Sequence, residues 1–184
     1  MQTYRIVPAT AADFPTIERL ARLIWPETFG SILSTAQIEY MLDLMYSEAA
    51  LMEQVKKGHV FHLLLDALGD ETSGYSHHAQ LRYRPVGYVS HEVNNLPGTT
   101  KIHKIYLLPG TQGRGYGRAL IDKVEAIARR ANQTKLRLDV NFQNPAVSFY
   151  EHLGFRKIDR FDTEIGQGYL MEDWRMEKTL LPRD

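Results

Sequence analysis

The sequence predicts a single mixed α/β (α+β) domain, and three observations carry that expectation. The chain has 184 residues, 43% of them apolar and 24% charged, which is the size and composition of one globular domain with a sizeable core. Short apolar runs of β character alternate with segments of helical periodicity from one end to the other. A glycine-dense stretch, Gly110-Thr111-Gln112-Gly113-Arg114-Gly115-Tyr116-Gly117, separates one β-like run from the most regular helical pattern, as in a strand–turn–helix unit. No repeat, low-complexity segment or linker divides residues 1–184.

In chain order, residues 4–7 read as a first strand, and Thr10 or Asp13 caps a helix with Phe14, Ile17, Leu20, Ala21 and Ile24 at helical spacing. Trp25-Pro26 is expected to end or kink it, because proline removes a donor and restricts the residue before it. Ser34-Thr35-Ala36-Gln37 resembles a capping box and opens a second helix to about Tyr46. Ser47 caps a third, which stops near Lys56-Lys57-Gly58. Residues 59–66 and 86–93 are β-like, and the polar, turn-rich residues 68–85 between them are expected to form a long hairpin connection. Residues 101–108 form a further strand, closed by Pro109-Gly110. The helix over 115–131 puts Leu120, Val124, Ile127, Ala128 and Ala131 on one face. A strand at 135–140 follows, then a short helix opened by Asn144-Pro145 and stopped by Gly154, then strands near 155–162 and 169–178.

Composition removes several function classes. Twenty-two Lys and Arg balance twenty-two Asp and Glu, so the chain lacks the cationic excess of a general nucleic-acid binder. The absence of cysteine excludes disulfides, Cys-ligated zinc and a cysteine nucleophile. Residues 1–7 show no basic-then-apolar leader, and no apolar run approaches the ~20 residues of a membrane span. The expectation is a soluble cytoplasmic protein with neither nucleic acid nor membrane as partner. Its oligomeric state is not fixed by the sequence, a homodimer being one option.

The glycine-rich turn is the most informative segment. A strand–turn–helix junction aims several backbone N–H groups at one spot on the positive end of a helix dipole, and glycines let an anion approach the backbone closely. Arg114, Arg118, Lys123, Arg129 and Arg130 add positive charge. A P-loop would need Gly-Lys-Ser/Thr at the end of the turn, which is missing. A dinucleotide fingerprint begins well at Gly113-x-Gly115, with Asp139 at the right distance downstream. Its third small position falls on Arg118 or, shifted, on Leu120, where a side chain obstructs helix–strand packing. Nucleotide binding through this turn stays open as an alternative.

Gln112-Gly113-Arg114-Gly115-Tyr116-Gly117 resembles the pyrophosphate loop, Q/R-x-x-G-x-G/A, of the GNAT superfamily of N-acetyltransferases. The approach Ile105-Tyr106-Leu107-Leu108-Pro109 is similar to that family's fourth strand. Residues 144–155, with Asn144, Ala146, Tyr150, Gly154 and Phe155, resemble its N-x-A-x-x-x-Y-x-x-x-G-F signature. The element order agrees over nearly the whole chain. The resemblance implies a central, mostly antiparallel twisted sheet splayed between two parallel strands and flanked by helices.

It also implies chemistry: direct transfer of the acetyl group of acetyl-CoA, as co-substrate, to a primary amine of a small molecule or peptide, with no metal. Contacts to acetyl-CoA would come from Tyr106, Leu107 and Leu108 of the fourth strand, from Gln112, Gly113, Arg114, Gly115, Tyr116, Gly117 and Arg118 of the loop, and from Asn144. A bulge near Leu107 or Leu108 would offer a backbone N–H to the thioester oxygen. Tyr150 would be the catalytic acid, a phenol of pKa ~10 protonating a thiolate whose acid has a pKa of ~8.5. On spacing alone Tyr150 is a core aromatic, and only the motif match gives it a catalytic role; Asn144 is equally a helix cap and Gln112 a residue that bonds the turn.

An ammonium of pKa ~10 must lose a proton before it attacks, so a base is needed, and Glu92 and His103 are candidates. His59-x-x-His62 has strand-like surroundings and no nearby carboxylate pair at ligand spacing, so no metal is expected. The segments that would build the acceptor pocket carry Trp25, Glu27, Phe29, Tyr40, Met41 and Tyr46, then Asp159, Asp162, Glu164, Glu172 and Asp173. Aromatics with carboxylates suit a cationic amine, and His103-Lys104-Ile105-Tyr106-Leu107 is loosely similar to polyamine acetyltransferases. A non-catalytic acyl-CoA-binding module, which would keep the loop without needing Tyr150, is the alternative from another class.

Overall fold

The computed structural model describes residues 4–68 and 82–180. Its strands are β1 (Tyr4–Pro8), β2 (Val60–Leu68), β3 (Arg82–Leu96), β4 (Thr99–Leu107), β5 (Lys135–Asn141), β6 (Arg156–Gly166) and β7 (Tyr169–Thr179). They form one sheet in the order β1-β2-β3-β4-β5-β7-β6. Every neighbouring pair is antiparallel except β4 and β5, which run parallel, as a strand–helix–strand crossover requires. In β5 the alternation of Leu136, Leu138 and Val140 is an alternation of burial.

The connection expected over 68–85 is shorter than the sequence suggests, because residues 82–85 already belong to β3. Its remainder, 69–81, lies outside the described residues. Pro85, which reads as a loop residue, sits at an irregularity where Leu64 pairs with Gly87 and Leu65 with Pro85. A bulge is one of the few places in a sheet that tolerates a missing N–H.

Helices α1 (Phe14–Phe29), α2 (Thr35–Tyr46) and α3 (Glu48–Lys56) cover one face of the sheet, and α4 (Tyr116–Arg130) and α5 (Ala146–His152) cover the other. One turn of 3₁₀ helix, Ala11–Asp13, leads into α1, with the Thr10 N–H donating to the Asp13 carboxylate at 2.8 Å. The expected end or kink at Trp25-Pro26 is replaced by one more turn, since α1 continues through Pro26 to Phe29. Packing outweighs the lost donor: Trp25 and Phe29 are both buried, their rings 4.9 Å apart and each against Tyr106.

Half of the capping box at Ser34 forms. Its hydroxyl accepts from the Gln37 N–H at 3.2 Å, while the Gln37 amide donates across the molecule to the Leu170 carbonyl at 3.0 Å. Ser47 caps α3, and Gly58 leaves that helix at φ +100. The buried face of α4 is Tyr116, Leu120, Ile121, Val124 and Ala128; Ile127 is half-buried and Ala131 exposed, so the stripe is rotated slightly from the one expected. Among the described residues no helix is long and apolar enough to cross a membrane.

Candidate active site

Strands β4 and β5 stay together for only four pairs, Thr99 with Lys135 through Ile102 with Leu138. Beyond Ile102 each strand continues without the other, and the gap is a cleft of about 870 Å³. Helix α4 fills the crossover between the two strands, so its N-terminus and the glycine loop lie at this opening.

Three glycines of the loop are explained by backbone conformation. Gly110, Gly113 and Gly115 have φ of +80, +76 and +77, and a Cβ on any of them would meet nothing within 4 Å. Gly115 occupies the N-cap position of α4 and offers no side-chain cap, leaving the first-turn N–H groups of the helix to face the cleft. Gly117 is different: a Cβ there would stand 3.0 Å from the Phe149 ring, so its smallness lets α4 and α5 approach.

Side chains brace the loop. The Gln112 carbonyl oxygen accepts from the Gly110 N–H at 2.8 Å, and the Thr111 hydroxyl donates to the Leu108 carbonyl at 2.6 Å. The Arg114 guanidinium donates to Asp66 of β2 at 2.6 and 3.1 Å, and the Tyr116 hydroxyl donates to the same carboxylate at 2.6 Å. Burial alone would raise the Asp66 pKa. The hydrogen bonds from Tyr116 and Arg114 outweigh that and hold the carboxyl below its usual value.

Of the residues singled out in the sequence, Tyr106, Leu107, Gln112, Gly113, Gly115, Tyr116, Gly117, Arg118, Asn144 and Tyr150 line the cleft. Leu108 and Arg114 do not. The Leu108 N–H donates to the Val86 carbonyl of β3 at 2.8 Å. Alternate N–H groups of a strand point to opposite edges, so that of Leu107 faces the β5 side, where the ladder has ended. The irregularity in β4 lies at His103, between Ser90 paired with Lys104 and His91 paired with Ile102, rather than near Leu107.

Tyr150 has its ring in the core, 6.0 Å from that of Phe155, and its hydroxyl has no hydrogen-bond partner among the described residues. Burial pushes this phenol above its ordinary pKa, so it stays protonated. Asn144 accepts from the Ala146 N–H at 2.9 Å and turns the chain into α5.

The far end of the cleft lies among α1, α2 and the β6–β7 hairpin, with Trp25, Phe29, Met41, Met45, Tyr46 and Met171 in its walls. Of the carboxylates named there from sequence, only Asp173 lines it. Tyr40 donates to the Ile165 carbonyl at 2.6 Å, Asp159 faces Arg175 and Glu172 faces Arg160. Asp173 is buried, and burial together with the nearby Asp139 charge raises its pKa to about 6. Asp139, also in the lining, is held by Lys101 at 2.7 Å. Lys104 lines the cleft as well. Sequence reasoning gave it no role, although two consecutive polar residues, His103-Lys104, interrupt an alternating strand and signal a bulge.

The two base candidates are bonded to each other. The His103 Nε2 lies 2.9 Å from Glu92, and the His59 ring stacks on His103 with centroids 3.7 Å apart. Burial and the His59 charge pull His103 down to about 3, against the opposing effect of Glu92. His103 lines the cleft and Glu92 does not. These three side chains could share a cation, their ligand atoms lying within 4.8 Å of one another, a grouping that the His59-x-x-His62 spacing does not reveal.

Three solved or curated proteins set this geometry in context. The structure of the PaiA N-acetyltransferase of Thermoplasma acidophilum, in complex with coenzyme A, superimposes with a TM-score of 0.75 at 22% identity over 97% of this chain and 100% of that one. A GCN5-related N-acetyltransferase of Rhodopseudomonas palustris gives 0.75 at 21% identity, covering 98% of both chains. An uncharacterised N-acetyltransferase of Methanocaldococcus jannaschii is 33% identical over 93 residues, 47% of this chain and only 39% of that protein. The sequence model of the acetyltransferase (GNAT) family matches residues 24–155, a span that runs from the end of α1 to the close of α5 and takes in the glycine loop and the splayed strands. The chain therefore belongs to the GNAT family of acetyltransferases.

Proposed function

We propose that the protein transfers the acetyl group of acetyl-CoA to a primary amine by direct attack within the splayed cleft. The observation that carries this reading is the convergence on one cleft of an uncapped helix N-terminus, a strand edge with an outward N–H at Leu107, and the phenol of Tyr150. The residues present fit the co-substrate. The N–H groups of Gly113 and Gly115, the first turn of α4 and Arg118 suit its pyrophosphate, while Asn144 and the β4 edge suit the amides of its arm.

In this scheme Asp173 takes the proton of the acceptor ammonium, directly or through water, its raised pKa bringing it close to neutral pH. The Leu107 N–H donates to the thioester oxygen as negative charge gathers there. Tyr150 gives its phenolic proton to the departing sulfur, and the proton released from the newly acylated nitrogen restores it. Glu92 and His103 are each other's partners in this arrangement, and an imidazole drawn down to about 3 holds a proton poorly. With no cysteine, the chain has no thiol to carry an acetyl group, which favours direct attack. The acceptor is a small molecule or peptide, and the cytoplasm is the compartment in which we place the reaction.

The test is acetyl-CoA-dependent thiol release against a panel of amines, comparing the native protein with Tyr150→Phe; with no cysteine the protein contributes no thiol of its own. Turnover that falls by about 100-fold or more in the variant, at unchanged acetyl-CoA affinity, is the expected result. Binding of acetyl-CoA with no turnover on any amine would favour a non-catalytic acyl-CoA-binding module, and equal turnover by the two proteins would remove Tyr150 from the mechanism.

A further inference from the structure

The acceptor end of the cleft contains a cation that nothing among the described residues neutralises. Lys104 is only 9% exposed, lines the cleft, and holds its ammonium 4.8 Å above the Tyr46 ring. Among the described residues no carboxylate or carbonyl takes an ion pair or hydrogen bond from it, and burial draws its pKa down to about 8. The surrounding wall is aromatic: the Trp25 ring lies 5.5 Å from that of Tyr46 and 5.8 Å from that of Tyr106, and the charge on Lys104 is felt by His59. The other cations of the lining are occupied or lie elsewhere. Lys101 is bonded to Asp139, Arg175 lies near Asp139 and Asp159, and Arg118 belongs to the first turn of α4.

An aromatic face offsets part of the cost of burying an ammonium, but an unpaired charge in such a wall weakens the fold unless a ligand completes it. The bulge at His103 is what puts it there. Ile102, Ile105 and Leu107 all pack toward α4 and α5, and the extra residue between them turns Lys104 and Tyr106 to the opposite side, against α1 and α2. Lys104 thus stands on the acceptor side of β4, away from the glycine loop. With Asp173 in the same cleft, the lining presents one buried cation and one buried carboxyl without ion pairs to each other.

We propose that Lys104 binds a carboxylate carried by the acceptor, so that the substrate is an amino acid-like primary amine with an apolar body. This rests on the acetyl-transfer reading and extends it. Lys104 then takes the carboxylate of the zwitterion, and the proton of its ammonium reaches Asp173 through water. A polyamine would bring a second ammonium toward Lys104, which repels it. A carboxylate fits better than a phosphate here, because a single ammonium among aromatic and methionine side chains lacks the added N–H donors that phosphate sites supply.

The test compares kcat/KM for L-phenylalanine, L-methionine and L-leucine, each beside its amide, and for spermidine, in the native protein and in Lys104→Met. Heat protection of the CoA-loaded proteins by the N-acetyl amino acids and by their amides is measured in parallel. The native protein is expected to prefer acid to amide by about 30-fold or more. Lys104→Met is expected to erase that ratio and to lose protection by the N-acetyl acids, while melting no lower than the native protein because it removes an unpaired buried charge. Equal use of acid and amide, or a preference for spermidine, overturns the carboxylate role and leaves acetyl transfer standing. Protection that depends on both the carboxylate and Lys104, without acetylation of any amine, keeps the anion site and overturns the transferase reading. Absence of both effects overturns both.

Discussion

Asp66 on strand β2 accepts two hydrogen bonds of 2.6 and 3.1 Å from Arg114 of the glycine loop, and so anchors the loop to the sheet. The same carboxylate takes the Tyr116 hydroxyl. Asp66→Ala is expected to cost about 2 kcal/mol, because it removes the carboxylate that both Tyr116 and Arg114 donate to, and to lower Tm by about 4–8 °C. It should also raise KM for acetyl-CoA, since the loop loses its brace. The Asp66 pKa is depressed in the folded state, so its stabilisation is present above the ordinary carboxylate range and fades as pH falls through it. A thermal melt at pH 7 and an acetyl-CoA titration check both; an unchanged KM would show that the loop keeps its shape without Asp66.

Gly110 and Gly115 make a matched pair. Both have left-handed φ and open space where a Cβ would go, so alanine at either should cost about 1 kcal/mol of backbone strain. Only Gly115 lines the cleft. Gly115→Ala should weaken acetyl-CoA binding while Gly110→Ala leaves it near native, at similar Tm. Equal binding losses would mean that loop conformation as a whole, rather than approach to Gly115, governs the site.

In the proposed mechanism Asp173 sets a pH limb. As a base it must be deprotonated, so kcat/KM for the acceptor should fall about tenfold per pH unit below about 6. Its effect on stability has the opposite sign. A carboxyl whose pKa is raised by folding favours the native state at low pH, and that contribution is lost as pH rises through about 6. Asp173→Asn should therefore abolish the acid limb together with most activity, yet melt higher than the native protein at pH 8. A variant that keeps the limb would move the base to another residue.

His62 and His91 predict acid sensitivity. Both are buried, their rings 5.5 Å apart, and burial draws each pKa down to about 4. The unfolded chain binds protons on these imidazoles near 6.5, so their contribution is intact above that pH and is lost as pH falls from about 6.5 toward 4. Tm should drop steeply over that interval, and less steeply in His91→Gln. A flat profile between pH 7 and 5 would contradict the burial of the pair.

Much of this was legible in the sequence because local chemistry dictates it. The loop glycines, the Ser34 and Ser47 caps, the alternating β5 and the Asn144 turn all follow from short-range rules. What escaped depends on distant packing. Pro26 stays helical because Trp25 and Phe29 are gripped by Tyr106, about 80 residues away along the chain. The Gln37 amide leaves its capping box for a carbonyl on β7. Arg114 looks like a phosphate ligand until Asp66, 48 residues earlier, is brought beside it. Most of the carboxylates in the last hairpin are spent on neighbouring arginines, and composition alone does not say which one faces inward.

The short parallel seam between β4 and β5 divides the sheet into two plates joined along four residue pairs. One plate, β1 to β4, carries Lys104 and Leu107; the other, β5 to β7, carries Asp173. Opposing parts of the proposed reaction thus ride on separate bodies, and the Lys101–Asp139 ion pair sits at the edge where they begin to part. The angle between the plates sets the reach from one group to the other, so a change far out on either plate can alter catalysis without touching a residue of the cleft.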